Sequence, residues 1–163
     1  MFPKKKILRT SPLTPDELLS RMEQFCAFRE RCPKEVRQKL KALGAEPDSA
    51  QQIYEVLQAD NFFNEHRFAM AYAGGKFRNN NWGKVRIRLE LQMRDIPTDA
   101  IQEALDAIDM APYEATLLKL LQKKLTQYAG DENMRAKTAA SLIRAGYEPE
   151  LVFRNLNADG LTD

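Results

Sequence analysis

NEHRFAMAYAGGKFRNNNWGKVRIRLELQMRDI, residues Asn64 to Ile96, reads as two helices joined by a polar turn that carries an aromatic side chain. Asn64 can cap the first helix, where Phe68 and Tyr72 stand one turn apart on one face. The second follows Trp82-Gly83 and sets Ile87 and Leu91 at the same four-residue step. The stretch holds seven Lys or Arg against three Asp or Glu. A helical unit with a basic centre points to docking on a large charged partner rather than to chemistry on a small one.

The framework of this stretch recurs on either side of it. Leu40, Leu91 and Leu142 are spaced by 51 and 51 residues, and four residues later come Gly44, Asp95 and Gly146 at a helix stop. The pairs Ile53/Leu57, Ile101/Leu105 and Val152/Leu156 repeat with spacings of 48 and 51, which predicts a longer turn, Ala45 to Gln52, in the first copy. A period near 50 with matching core positions marks a modular helical array whose neighbours cover each other's apolar faces. The expected fold is all-α, an elongated, curved array of three tandem three-helix repeats. Its expected parts are a basic flexible arm (1–13), repeats over 14–61, 62–110 and 111–158, and a tail (159–163).

Local signals place the helix ends. Thr14-Pro15-Asp16-Glu17 has the form of a capping box with proline in the first turn, ahead of Leu18, Met22 and Cys26. Pro33 opens a second helix with Val36 and Leu40, and Ser49 to Gln52 offers a second capping box. A third helix of the middle repeat begins near Pro97. Pro112 opens the third repeat, with Leu117, Leu121 and Leu125 on one face; Asp131 is expected to cap its second helix, and Pro149 opens the last. Gly74-Gly75 inside a helical pattern costs roughly 1 kcal/mol per glycine against alanine. Either a neighbour approaches closely there or the helix breaks early.

The totals exclude several classes. The chain has 163 residues, a formal charge of +2, 44% apolar and 29% charged residues, close to an average globular protein. No apolar run approaches the ~18 residues of a membrane span, and Met1 to Lys6 leads into no signal-peptide core; a cytoplasmic protein is expected. Cys26 and Cys32 are the only cysteines and His66 the only histidine, too few for a structural zinc site. Cys26 reads as a small buried hydrophobe, Cys32 as more exposed, and a cytosolic setting leaves them unpaired. No nucleophile motif surrounds His66, and no Gly-Lys-Ser/Thr follows Gly74-Gly75. The expectation is no enzyme, no cofactor, no metal and no small-molecule substrate.

Charge is zoned along the array. Residues 64–95 carry net +4, residues 96–114 hold five carboxylates and no Lys or Arg, and residues 115–144 return to +4. Arg67, Lys76, Arg78, Lys84, Arg86, Arg88 and Arg94 make the central basic group, with Lys84, Arg88 and Gln92 expected to face away from Ile87 and Leu91. The alternative for each is an ordinary solvated helix face, with Arg86–Glu90 a surface pair. Trp82 can stack on a base, anchor an interface, or pack back on its own repeat.

Phe62-Phe63-Asn64-Glu65-His66-Arg67-Phe68-Ala69 with Tyr72, then Phe77-Arg78, Trp82 to Ile87, Glu90-Leu91 and Ile96, resembles the signature segment of the RecX regulatory proteins. Arg29 to Leu40 is similar to that family's first-repeat helix pair, and Lys137 through Gly146-Tyr147 to Val152 to its third repeat; the likeness covers roughly residues 16–157. Asp95, Gly74-Gly75 and Asn79-Asn80-Asn81 depart from the family pattern. The resemblance implies three three-helix units, no catalysis, and a modulator of the RecA recombinase in DNA repair and the SOS response. Such a protein docks in the groove of the RecA–single-stranded-DNA filament and restrains its growth. It implies binding roles for Arg67, Arg78, Lys84, Arg86, Arg88 and Lys137; a monomer is expected. The competing reading is a stand-alone, sequence-independent nucleic-acid-binding module that needs no RecA.

Overall fold

The structure, a computed structural model, describes residues 11–158; most of the expected basic arm and the whole expected tail lie outside the described residues. All regular structure among the described residues is helical: α1 (Pro15–Phe28), α2 (Pro33–Ala42), α3 (Pro47–Ala59), α4 (Glu65–Asn80), α5 (Lys84–Gln92), α6 (Thr98–Asp106), α7 (Met110–Gln127), α8 (Met134–Arg144) and α9 (Pro149–Ala158). They form two compact units, one ending at Asn64 and the other beginning at Glu65. Among the described residues no helix is long and apolar enough to cross a membrane.

The first unit folds as its residues dictate. The Thr14 hydroxyl accepts from the Glu17 N–H at 3.2 Å while the Glu17 carboxylate accepts from the Thr14 N–H at 2.9 Å, so two orphan donors at the start of α1 are satisfied. Leu18, Met22 and Cys26 of α1 then meet Val36 and Leu40 of α2 and Ile53 and Leu57 of α3 in one core, with Phe63 closing it.

The second unit holds two helix triplets, α4–α6 and α7–α9. Phe68, Ala69, Ala73 and Phe77 are the buried positions of α4, and Ala100, Ile101, Ala104 and Leu105 those of α6. Small residues on both helices let α4 and α6 lie close together. In the other triplet Leu117 and Leu121 of α7, Ala139 and Leu142 of α8 and Val152 and Leu156 of α9 are all buried.

The repeated helix stop has one geometry. The N–H groups of Ala45, Ile96 and Tyr147 bond back to the carbonyls of Leu40, Leu91 and Leu142 at 3.1, 3.2 and 3.2 Å, the closing bond of a Schellman turn. The residue just before each donor is left-handed: Gly44 at φ +78°, Asp95 at +60° and Gly146 at +102°. The three leucines are at most 2% exposed. The 51-residue spacing is therefore a repeat of core positions and of the turn that ends the middle helix.

Asp95 does with a side chain what glycine does freely. A left-handed L residue costs about 1–2 kcal/mol, and glycine's extra chain entropy takes back about 0.5–1 kcal/mol. Asp95→Gly is therefore expected to raise the unfolding free energy by about 0.5–1 kcal/mol, read as a higher denaturant midpoint at unchanged slope. A lower midpoint would mean that the Asp95 side chain contributes more than its backbone strain removes.

Several local expectations are corrected. α3 starts at Pro47 behind an extended Glu46, so Ser49 lies inside the first turn and caps nothing. The extra residues of the first copy are thus helix rather than turn: Pro47 stands six residues before Ile53, whereas Thr98 and Pro149 stand three before Ile101 and Val152. α7 begins at Met110, two residues ahead of Pro112. Asp131 sits three residues before α8, where its carboxylate accepts from the Asn133 N–H at 2.8 Å. Cys32 is 1% exposed, because its N–H is tied to the Glu35 carboxylate at 3.0 Å at the start of α2. α4 runs unbroken through Gly74-Gly75. A Cβ at Gly75 would meet nothing within 4 Å, and the nearest atoms to one at Gly74 belong to the protein's own Arg78 guanidinium, at 2.7 Å.

Candidate nucleic-acid interface

The basic centre is built on the start of α5, and that start has no cap of its own. Gly83 precedes α5 without a side chain to offer, so the first N–H groups of the helix need acceptors from elsewhere. The α7–α9 triplet supplies them. The Tyr113 hydroxyl accepts from the Lys84 N–H at 2.9 Å, and the Gly146 carbonyl accepts from the Val85 N–H at 2.9 Å. Just upstream, the Gly83 N–H donates to the Ala145 carbonyl at 2.9 Å.

Two tyrosines hold the turn from the same side. The Tyr113 hydroxyl donates to the Glu148 carboxylate at 2.8 Å, and the Tyr147 hydroxyl donates to the carbonyl of Asn81 at 2.9 Å, a residue at φ +55°. Their rings lie 5.2 Å apart. Burial, and then the neighbouring Glu148 carboxylate, push the Tyr147 phenol up to about 12. Burial raises Tyr113 well above the ordinary tyrosine range. Both hydroxyls thus stay protonated and donating throughout the neutral range.

On this support Lys84, Arg86 and Arg88 share one helix, and their neighbours are neutral. Lys84 Nζ lies 5.0 Å from the Tyr113 ring centre and 3.6 Å from the Met110 sulfur. The Arg86 guanidinium lies 3.9 Å from the Trp82 ring centre. Arg88 donates to the Gln102 side-chain oxygen at 3.0 Å. Among the described residues none of these three cations has a carboxylate partner within ion-pair distance. Their positions are fixed by packing while their charge stays uncompensated, which is what a phosphate needs.

The aromatic side chains extend the site along α4. Tyr72 stacks on Phe68 at 5.7 Å and meets the Trp82 ring edge-on at 6.4 Å. Lys76 Nζ lies within 5.5 Å of Tyr72 and 4.9 Å of Trp82, and the Arg94 guanidinium lies 4.7 Å from Tyr72. The half-buried surface of α4 and α5 therefore alternates cation and ring from Arg94 through Tyr72, Lys76 and Trp82 to Arg86. Such contacts hold long side chains in place at about 0.5–1 kcal/mol each.

The other expected site residues lie apart from this group. Arg78 is exposed at the end of α4, while Arg67 lies in its first turns, about 16 Å away along the axis at 1.5 Å per residue. Lys137 is on α8 and is ion-paired with Asp131, which raises the lysine and lowers the carboxyl relative to their ordinary values. Arg86 and Glu90, expected as a pair, part company: Glu90 holds Arg94 at 2.8 Å instead. Lys84 and Arg88 are not on the outermost face; both are half-buried at its edge. Sequence reasoning missed Tyr113, Tyr147 and Gly146 as supports, because they lie tens of residues away from the turn they hold. The Tyr72–Lys76 and Trp82–Arg86 pairs were detectable from their four-residue steps.

His66 reaches from α4 to α6, 2.6 Å from the Glu103 carboxylate and 3.6 Å from Asp99. It acts as a surface clasp between the helices.

Comparison with known proteins follows the same line. Residues 64–105 match the family model described as the second three-helix domain of RecX. The chain is 31% identical over 121 residues, 74% of each chain, to the regulatory protein RecX of Xanthomonas axonopodis pv. citri. It is 28% identical over 140 residues, 85% of this chain and 91% of the relative, to the regulatory protein RecX of Prosthecochloris aestuarii. A crystal structure of RecX from Lactobacillus salivarius superposes with a TM-score of 0.81 at 20% identity, over 91% of this chain and 97% of that one.

Proposed function

Because the chain belongs to the RecX family of regulatory proteins, we propose that it regulates the RecA recombinase by binding the RecA–single-stranded-DNA filament and restraining its growth. The observation that carries this reading is the set of three cations, Lys84, Arg86 and Arg88, held by neutral partners beside Trp82. A helix that fixes three uncompensated charges suits a polyanion, and a neighbouring ring suits one whose bases are unstacked. The filament presents a polyanion within a protein groove, in the cytoplasm. Arg67 and Arg78 would meet it at the margins of α4. Lys137 would join only by giving up Asp131.

The test is DNA-dependent ATP hydrolysis by RecA at fixed single-stranded DNA, titrated with this protein. The expected result is a falling rate at protein well below stoichiometric with RecA. An unchanged rate at excess protein, with salt-sensitive DNA binding retained, would instead assign a nucleic-acid module that works without RecA.

A further inference from the structure

The outermost face of α5 is apolar, although the helix carries three cations in nine residues. Val85, Leu89 and Met93 follow one another at four-residue steps and are 40%, 55% and 61% exposed, while Ile87 and Leu91 on the inner side are fully buried. Single exposed apolar side chains are commonplace. A continuous row along one helix, bordered by charge, has the layout of an interface with an apolar centre and a polar rim.

The border carries cations on both sides, with Glu90, which holds Arg94, one turn after Arg86 on one of them. At 100° per residue, Lys84 and Arg88 fall along one edge of the row and Arg86 along the other. None of the three has a carboxylate partner within ion-pair distance among the described residues. A surface that covers the row thus offers apolar side chains at its centre and lies beside the polyanion that these cations hold. Single-stranded DNA fits the row itself poorly, because Val85, Leu89 and Met93 offer no ring for a base to stack on.

Resting on the function proposed above, we infer that the Val85–Leu89–Met93 face docks on protein rather than on DNA, against an apolar surface of the recombinase that borders the DNA held by Lys84, Arg86 and Arg88. Within one filament the chain then uses two adjoining surfaces. The cation–aromatic run, with Lys84, Arg86 and Arg88 at the edges of α5, takes the nucleic acid, and the apolar row of α5 takes the subunit.

The experiment compares the full chain with the double variant Val85→Gln, Leu89→Gln, which keeps a strong helix former at Leu89 on an exposed face. Binding to a labelled single-stranded oligonucleotide is measured with and without RecA, with helical content as the folding control. The expected result is oligonucleotide affinity within about twofold of the parent, together with at least about a tenfold rise in the protein concentration needed to bind the filament, the size of a central interface residue lost. An unchanged filament titration would overturn the inference. So would an equal loss in both titrations, which would assign the row to DNA. Leu89→Met is expected to keep filament binding, which separates loss of the apolar contact from general damage. Should the parent chain itself bind the filament no better than the bare oligonucleotide, the proposed function fails with this inference, a result visible before any variant is made.

Discussion

Gly146→Ala is expected to destabilise the second unit by about 4 kcal/mol or more, among the largest effects a single methyl group can have. Two independent costs meet there. The residue sits at φ +102°, where an L side chain is strained by about 1–3 kcal/mol. The added Cβ would also lie 2.3 Å from Arg86 Cβ, 2.8 Å from the Arg86 nitrogen and 2.9 Å from the Gly83 carbonyl oxygen. Backbone atoms cannot swing aside as a lysine tip can, so the turn before α5 and the turn after α8 must separate. Separation removes the bonds Gly83 N–H to Ala145 and Val85 N–H to Gly146, leaving the start of α5 with unmet donors at about 1–3 kcal/mol for each that stays buried.

The control is Gly44→Ala, at the equivalent stop of the first unit. It has φ +78° but nothing within 4 Å of the added Cβ, so only the backbone cost of about 1–2 kcal/mol applies. Thermal melts should place Gly146→Ala well below Gly44→Ala, each kcal/mol shifting the midpoint by a few degrees in a domain of this size. Equal midpoints would show that the two turns are not pressed together as the geometry has them. Gly83→Ala tests the contact from its other side, since its Cβ would lie 2.2 Å from the Gly146 carbonyl carbon with ordinary backbone angles.

The contrast between these two glycines also shows what the amino-acid sequence can reveal. Gly44, Asp95 and Gly146 are recognisable as helix stops from their distance to Leu40, Leu91 and Leu142, because a Schellman turn is made by neighbours along the chain. That is why the helical repeat and its core positions could be read directly. The contact of Gly146 with Gly83 joins residues 63 positions apart, and nothing local to either marks it. Ser49 failed for a related reason. A serine followed three residues later by glutamine fits a capping box, but Pro47 with its fixed φ already suits a helix start, and the helix began there. At the site, spacing exposed the basic group. It could not tell whether Glu90 takes Arg86 or Arg94, each four residues from it, nor that Lys84 and Arg88 rest on neutral partners, because those partners belong to α7 and α6. Nor could a helical wheel keyed to charge show that the outer face of α5 is Val85, Leu89 and Met93.

Replacing Lys84, Arg86 and Arg88 together by glutamine is expected to weaken binding to single-stranded DNA about 100-fold at about 0.1 M salt. The figure follows from counterion release: each phosphate neutralised on a single strand contributes a slope of about 0.7 in log affinity against log salt, so three contribute about 2. The same triple change should therefore flatten the salt dependence by about 2. Glutamine retains polarity and helix propensity at all three positions, and the lost ring contacts amount to about 0.5–1 kcal/mol each, so helical content should hold. The slope separates the possible causes. A large affinity loss at unchanged slope would mean that the three side chains act by positioning Trp82 rather than by meeting phosphate. A flattened slope assigns the charge itself. Lys137→Gln serves as the internal comparison, since its ammonium is already committed to Asp131 and its removal should leave the slope nearly where it was. If Lys137→Gln flattened the slope as much as one of the α5 cations does, a neutral partner would not be what makes a cation of this protein available to DNA.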